Sequence, residues 1–272
     1  MRAGNAPLHW PLAQLQPSVA VLGGDAHVEV LAEIDSTNSE LMRRARRGDT
    51  RPCVMVAEYQ SAGRGRQGRS WLGERADALT FSVGLMLAPP DWSGMSLAVG
   101  VCVAEALDPQ RNFGLGLKWP NDIWMGAPTA PRKLAGTLIE TVWVQGDSAA
   151  SRYTVIGIGI NVHPPHSSDL GIPAAGLSEW LGQDLLPADV LLTVLPSLLS
   201  GIQRFEAQGF APFQAAFAQR DVLKGQTLRL SDGREGMACG VDKDGVLQVD
   251  TPAGRVAVSS DEVSVRLAAG VT

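Results

Sequence analysis

Three glycines and three arginines alternate between residues 63 and 69, and a tryptophan, Trp71, follows them. Glycine lets the backbone adopt positive φ angles and bring its amides close to a ligand. Arginine carries a planar, permanently charged fork that matches carboxylate and phosphate groups. The stretch therefore indicates a loop that binds a small anion. A solvated basic loop, or a segment that binds nucleic acid, remains an alternative here, because short motifs also occur by chance.

Four further polar clusters lie at the ends of apolar segments: Ser36-Thr37-Asn38, Lys118 to Asp122, Arg132 to Gly136, and Gly157 to Asn161. The first cluster fits a helix N-terminus that binds a polar ligand. It also fits plain capping, since Thr37 and Glu40 have capping-box spacing. Glycines in the last cluster weaken a strand, which indicates the close approach of a ligand or backbone, or a bulge.

Strands and helices must bring these clusters together. Apolar runs predict strands over residues 53–58, 80–87, 115–119, 137–144 and 153–162. Helical spacing predicts one helix from Thr37 to Gly48 and another from Met95 to Leu107. The arginine loop then lies between two strands. The proline-punctuated residues 1–30 are expected to form an irregular lead-in with one short strand.

The chain changes character after residue 187. Leucines and phenylalanines recur at helical spacing up to residue 219, and Pro196 should kink the first of these helices. From Asp221 onward, short apolar runs separated by Asp-Gly and Pro-Ala-Gly turns predict a small all-β meander or barrel. We therefore expect one domain over residues 1–220 and a second over 221–272.

Composition narrows the class of protein. The net charge is −5 and the pI is about 5.4, so no global basic field would attract nucleic acid. The three cysteines are far apart in apolar runs, which predicts buried, reduced thiols rather than disulfides or a metal site. The sequence shows no signal peptide and no membrane-spanning run. We expect a cytoplasmic globular protein.

Taken together and in this order, the five clusters resemble the biotin–protein ligases over about residues 30–266. The resemblance implies an α+β catalytic domain, a mixed β-sheet flanked by helices akin to class II tRNA-synthetase cores. The C-terminal residues resemble that family's SH3-like domain. The implied reaction uses biotin and Mg-ATP to form biotinyl-5′-adenylate and pyrophosphate. A lysine of a biotin carboxyl carrier protein domain then attacks the adenylate.

The resemblance also implies site residues. The implied biotin-binding residues are Ser36, Thr37, Asn38, Gln60, Gly63, Arg64, Gly65, Arg66, Lys133 and Gly136. Those implied for ATP are Arg66, Arg69, Trp71, Asn121, Lys133 and Asn161, with Trp71 stacking on adenine. Asp122 and Asn161, with Asn121 nearby, are the implied oxygen ligands or water holders for Mg²⁺. Lys133 and Arg66 are the implied catalytic residues, because a cation must offset the charge between a carboxylate and an α-phosphate.

Some features depart from the family pattern. Gln67 replaces a third arginine, a change we expect to be harmless because the flanking arginines are intact. The loop over residues 126–131 is slightly long and is expected to alter access to the nucleotide. Residues 1–30 are too few for a winged-helix domain, so we expect no DNA binding. The sequence leaves open whether the chain forms a homodimer.

Three alternatives remain at this stage. The nearest is a lipoate ligase or octanoyl transferase of the same fold, although an arginine followed by a glycine triplet would be expected in its loop. A nucleic-acid-binding module is a second alternative, and the acidic pI argues against it. A scaffold protein is the third. A metal site at His163 and His166 is disfavoured because no partner cluster accompanies it.

Overall fold

The computed structural model describes residues 8–71, 73–126, 131–144, 151–165, 173–230 and 232–258, and the backbone of 266–267. Seven strands form a mixed sheet: β1 (His27–Leu31), β2 (Cys53–Ala57), β3 (Ala78–Leu87), β4 (Gly116–Lys118), β5 (Asp122–Met125), β6 (Arg132–Val142) and β7 (Arg152–Asn161). Their order across the sheet is β1-β2-β3-β7-β6-β5-β4. The pair β1 and β2 is parallel, and the other neighbouring pairs are antiparallel.

Six α-helices lie in the described residues: α1 (Leu12–Val19), α2 (Thr37–Arg46), α3 (Met95–Leu107), α4 (Ser178–Leu181), α5 (Pro187–Gln208) and α6 (Gln214–Ala218). Single 3₁₀ turns occupy residues 20–22, 66–68 and 211–213. The helix α5 runs through Pro196 as one element, and the kink expected at this proline stays a prediction.

The two faces of the sheet pack against different helices. The larger hydrophobic cluster joins one face to α3 and α5, and it includes Phe81 of β3 and Ile158 of β7. A smaller cluster joins the opposite face to α2 and includes Tyr153 and Val155. Because side chains alternate along a strand, every second residue of β7 after Val155 also lies on the α2 face.

A second, antiparallel sheet follows with the order β11-β10-β9-β8-β12: β8 (Thr227–Arg229), β9 (Glu235–Val241), β10 (Leu247–Thr251), β11 (Gly254–Val258) and β12 (Arg266–Leu267). The segment between β9 and β10 contacts the residue that follows β4, because Trp119 Nε1 donates a hydrogen bond to Gly245 O at 3.2 Å. The predicted fold class, a mixed sheet flanked by helices with a small C-terminal β-structure, is confirmed. The division at residue 220 stays a prediction.

The prediction of an irregular lead-in was wrong for residues 12–19, which form α1 despite Pro17. Leu15 and Val19 lie one turn apart, are fully buried and pack in the core where α1 meets α5. Burying two such side chains contributes about 1.5–3 kcal/mol each, which matches or exceeds the roughly 3 kcal/mol cost of an interior proline. Tertiary packing therefore decides this helix.

Two local predictions also need correction. Ser36, not Thr37, is the N-cap of α2, and its hydroxyl accepts a hydrogen bond from Ser39 N at 3.4 Å. The strand predicted from residue 137 begins at Arg132, so Lys133 lies within β6 rather than in a loop before it. Thr37 therefore lies inside α2 and Lys133 inside β6, where the orientation of each side chain is better defined.

Two of the three cysteines, Cys53 and Cys102, are buried free thiols, and burial raises the pKa of each to about 12. Cys239 is only partly buried, which corrects the expectation for it. The proposed lengthening at 126–131 falls largely on residues outside the described ranges, as does His166. None of the helices in the described part of the chain combines the length and apolar character needed to cross a bilayer.

Candidate active site

A cavity of about 200 Å³ opens where α2, the arginine loop and strands β3, β5, β6 and β7 meet. All five polar clusters contribute to its walls. The predicted site residues that line it are Ser36, Thr37, Asn38, Gln60, Arg64, Gly65, Arg66, Arg69, Trp71, Asn121, Asp122, Lys133, Gly136 and Asn161. Gly63 is not among the lining residues, and its carbonyl oxygen accepts a hydrogen bond from Trp71 N within the arginine loop.

Gln60 holds the first turn of α2 at one end of this cavity. Its Oε1 accepts hydrogen bonds from Thr37 N at 2.8 Å and from the Thr37 hydroxyl at 3.1 Å. One of the helix's free N-terminal amides is thereby satisfied. Ser36, Thr37 and Asn38 are all buried, so this end of the cavity is built from neutral polar groups with little access to solvent.

A buried hydroxyl, Ser82 on β3, connects Thr37 to Asn38. Its Oγ lies 2.7 Å from Thr37 Oγ1 and 2.6 Å from Asn38 Oδ1. Because the Thr37 proton is donated to Gln60, Ser82 is the donor here, and its one hydroxyl proton can go to only one of these two oxygens at a time. The Thr37 oxygen, which belongs to a cavity-lining residue, therefore serves as an acceptor toward its other neighbours. The sequence does not point to Ser82, because a lone serine in a strand belongs to no motif.

Gly157 makes room for the Asn38 side chain. A Cβ at this position would lie 2.1 Å from Asn38 Oδ1, far inside van der Waals contact. The glycine therefore serves the close approach of a side chain, rather than the approach of a ligand or backbone, or the bulge, expected from the sequence. Gly159, two residues along β7, serves the Trp71 ring in the same way, with a Cβ position 2.3 Å from Trp71 Cε2.

The arginine loop closes on itself as a small hairpin. Gly65 N donates to Arg69 O at 2.7 Å, and Trp71 N donates to Gly63 O at 2.9 Å. Gln67 has φ 56° and ψ 35°, in the left-handed region, and its Oε1 accepts from Arg69 Nη2 at 2.8 Å. This loop is therefore closed by its own backbone hydrogen bonds, and its three arginines line the cavity.

Lys133 lies between an acid and an aromatic ring. Its Nζ is 2.7 Å from Asp122 Oδ1 and 5.8 Å from the centre of the Trp71 ring. A cation over an indole face is attracted by the ring quadrupole, and the nearby carboxylate offsets the charge of the cation. The lysine side chain is 25% exposed, so an anion in the cavity can reach it.

A β-bulge sets the direction of Lys133. Ile123 pairs with Ala135 and Trp124 pairs with Lys133, so Leu134 is an extra residue on β6. Without this bulge, Lys133 and Gly136 would lie on opposite faces of the sheet. With it, a Cβ at Gly136 would be 3.2 Å from Lys133 Nζ, so the two residues share the cavity face. Leu134 and Ala135 are buried in the larger hydrophobic cluster, on the face that packs against α3 and α5.

Two asparagine amides at the same end have defined orientations. Asn121 Nδ2 donates to Thr137 O at 2.9 Å, and Asn161 Nδ2 donates to Ala175 O at 3.0 Å. Because backbone carbonyls only accept, the amide oxygens are left for other partners. Together with Asp122 they form a set of hard oxygen donors, which fits Mg²⁺.

The comparisons with known proteins agree with this geometry. The model of the biotin/lipoate A/B protein ligase family matches residues 30–161, and that of the biotin protein ligase C-terminal domain matches 227–266. The bifunctional ligase/repressor BirA of Escherichia coli is 32% identical over 82% of this chain and 69% of its own length. This chain belongs to the biotin–protein ligases. The C-terminal match and the relatives' names argue against the lipoate ligase alternative.

Two other similar proteins match this chain over most of their own length. The biotin–[acetyl-CoA-carboxylase] ligase of Mycobacterium tuberculosis is 31% identical over 88% of this chain and 89% of its own. A structure of the biotin protein ligase from Aquifex aeolicus in complex with biotin and ATP superposes with a TM-score of 0.72. It is 28% identical and covers 89% of this chain and 99% of that one.

Proposed function

We propose that this biotin–protein ligase activates biotin with Mg-ATP and transfers the biotinyl group to a lysine of a biotin carboxyl carrier domain. The supporting observation is that one cavity joins two chemically different ends. Neutral hydroxyls and amides line one end, and a lysine, an indole and oxygen donors line the other. Adenylation needs a carboxylate and an α-phosphate in one space, which this arrangement provides.

In the first step, a carboxylate oxygen of biotin attacks the α-phosphorus of ATP. The bond from that phosphorus to the bridging oxygen breaks, and pyrophosphate leaves with the electron pair. We assign Lys133 to the charge that develops between the two anions, since its ammonium already lies in the cavity beside Asp122. Arg66, from the loop at the cavity wall, supplies the second positive charge.

We assign the neutral end of the cavity to the ureido ring and tail of biotin. The Thr37 oxygen would accept from a ureido N–H, and Ser36, Asn38 and Gln60 would complete the polar wall. Gly136 leaves space beside Lys133 for the carboxylate. The loop residues assigned to biotin are Gly63, Arg64, Gly65 and Arg66, with Gly63 acting through the closure of the hairpin.

We assign the other end to the nucleotide. Trp71 would stack on adenine, and Arg69, Asn121 and Asn161 would contact the phosphates. Mg²⁺, held through Asp122 and Asn161, would neutralise the phosphate oxygens and orient them. Lys133 and the loop arginines would offset the remaining negative charge of the substrates.

In the second step, a neutral lysine amine of the carrier domain attacks the carbonyl carbon of the adenylate. The bond from that carbon to the phosphate oxygen breaks, AMP leaves with the electron pair, and the attacking nitrogen loses one proton as the amide forms. The loop would keep water from the reactive anhydride until the carrier arrives. We place this reaction in the cytoplasm, on a carboxylase's carrier domain, and we expect neither DNA nor a membrane to take part.

The test is a biotin-dependent exchange of label between pyrophosphate and ATP, followed by transfer to a purified carrier domain. We expect exchange with biotin and Mg-ATP, and labelling of a single carrier lysine. Exchange that runs with lipoate and not with biotin would contradict the proposal. A footprint on operator DNA at physiological salt would contradict the expectation of no DNA binding.

A further inference from the structure

Glu140, on β6, lies behind the cavity wall and is not one of its lining residues. Its carboxylate nevertheless contacts two residues that line the cavity. Oε2 accepts a hydrogen bond from Asn38 Nδ2 at 3.0 Å, and Oε1 accepts one from Arg64 Nη2 at 2.8 Å. Arg64 Nη1 lies 3.2 Å from Oε2, so the pairing is bidentate. One side chain thus joins the neutral end of the cavity to the arginine loop.

The hydrogen bonds of Asn38 show what Glu140 does there. The two amide protons go to Leu138 O, at 3.1 Å, and to Glu140. Both acceptors lack protons, so the orientation of the amide is set, and its oxygen faces Ser82. Asn38 is 3% exposed, so a lost partner would leave a buried polar group unsatisfied. Glu140 therefore helps to hold the cavity wall in shape.

The contact with Arg64 ties the loop to the sheet. The loop's backbone hydrogen bonds, between Gly63 and Trp71 and between Gly65 and Arg69, are internal to it. They do not by themselves fix the loop over the cavity. The Arg64 guanidinium reaches β6 through Glu140 and α2 through Ser39 Oγ, at 3.3 Å. The Arg64 side chain is 46% exposed, so this tether is weak and can open.

We propose that Glu140 is a positioning residue that couples the biotin end of the cavity to the arginine loop. The inference rests on the proposed function. A ligand that holds Asn38 in place also holds Glu140 in the position that receives Arg64. The coupling is reciprocal, so a loop closed through Arg64 strengthens the hold on Asn38. Glu140 touches no reacting atom, and it acts through these two residues.

Two substitutions separate the two contacts. In Glu140→Gln, the amide oxygen can still accept from Asn38, but the amide N–H₂ then faces the Arg64 donors and the bidentate pair is lost. In Glu140→Ala, both contacts are lost. Asp49→Asn is a matched control, because it removes another exposed arginine–carboxylate pair, with Arg51, away from the cavity.

The first measurement needs no activity. Limited trypsin digestion of the ligand-free proteins, mapped by mass spectrometry, reports cleavage after Arg64, Arg66 and Arg69. Both Glu140 variants should be cleaved in the loop about 2- to 5-fold faster than the parent and the control. High salt should speed loop cleavage of the parent more than that of Glu140→Gln, because salt screens the pair that this variant lacks.

The second measurement separates the roles of the residue. Glu140→Ala should raise the KM for biotin in pyrophosphate exchange by about 5- to 50-fold, and Glu140→Gln by less than about 3-fold. Both variants should release more adenylate, seen as labelling of bystander lysines. If Glu140→Ala unfolds, as its melting curve would show, Glu140→Gln carries the test through loop cleavage and adenylate release.

Unchanged loop cleavage in a folded Glu140→Gln would overturn the proposal, as would an equal rise in the KM for biotin in both variants. Failure of the proposed function looks different, because the parent itself would then show no biotin-dependent exchange. The trypsin result would still decide whether Glu140 holds the loop.

Discussion

Two glycines on β7 offer a direct test of how the cavity divides between its substrates. Gly157 and Gly159 lie on the same face of one strand, two residues apart. A Cβ on Gly157 would meet the Asn38 amide, and a Cβ on Gly159 would meet the Trp71 indole. The same small change, glycine to alanine, should therefore disturb biotin binding in one case and ATP binding in the other.

The structure sets the expected magnitudes. Moving Asn38 away from a Gly157→Ala methyl group would break about two of its hydrogen bonds, at roughly 0.5–1.5 kcal/mol each. The sum, about 1–3 kcal/mol, corresponds to a biotin affinity roughly 5- to 150-fold weaker. Displacing Trp71 in Gly159→Ala would remove the proposed stacking on adenine, and such stacking of a base on an aromatic ring is worth about 1–3 kcal/mol. We expect a similar loss for ATP.

The assay is calorimetric binding of biotin and the KM of each substrate in pyrophosphate exchange. Gly84→Ala is the control, since its Cβ would lie 2.3 Å from the Tyr153 hydroxyl, on the same face but away from the cavity lining. It should lower the melting temperature and leave both KM values near those of the parent. Equal losses of biotin and ATP affinity in Gly157→Ala would refute this division of the cavity.

Three further predictions concern charged residues. Lys133→Ala should slow pyrophosphate exchange about 100- to 1000-fold, and Lys133→Arg should restore little of that rate. The rate of transfer from presynthesised biotinyl-adenylate should fall less. An equal fall in both rates would contradict the role assigned to Lys133. Arg66→Gly should release adenylate and label bystander lysines, because the arginine loop would close less well over the cavity. A variant that makes adenylate and retains it as the parent does would show that Arg66 takes no part in this closure. Hydrogen bonds from Arg44 and Arg43 lower the pKa of Glu40 below its usual 4.5. Their stabilisation should be complete above pH 4.5 and lost as the pH falls through the lowered value. Glu40→Gln should reduce the free energy of unfolding at pH 7 by about 0.5–1 kcal/mol and flatten its pH dependence in acid; an unchanged acid limb in urea unfolding would contradict this.

The sequence was a good guide wherever a short segment carried its own signal. The helix predicted from Met95 to Leu107 has those bounds in the structure, and the strand predicted over 153–162 is Arg152–Asn161. Long apolar runs bounded by turn residues leave few alternatives. The sequence was a poor guide for α1, where the burial of two of its own side chains, Leu15 and Val19, against α5 offsets the cost of an interior proline. It also missed β5, a strand of four residues.

The sequence by itself determined which side chains the site contains. Ser36 to Asn38, the arginine loop and Lys133 are recognisable from their types and spacing, because each cluster is local. Only the tertiary structure decided how they face one another. Ser82 and Glu140 reach Asn38 from 44 and 102 residues away along the chain, and no local pattern records such pairings. The bulge at Leu134 turns Lys133 to the cavity face against the simple alternation of a strand, since a one-residue insertion reverses the side on which every preceding side chain lies.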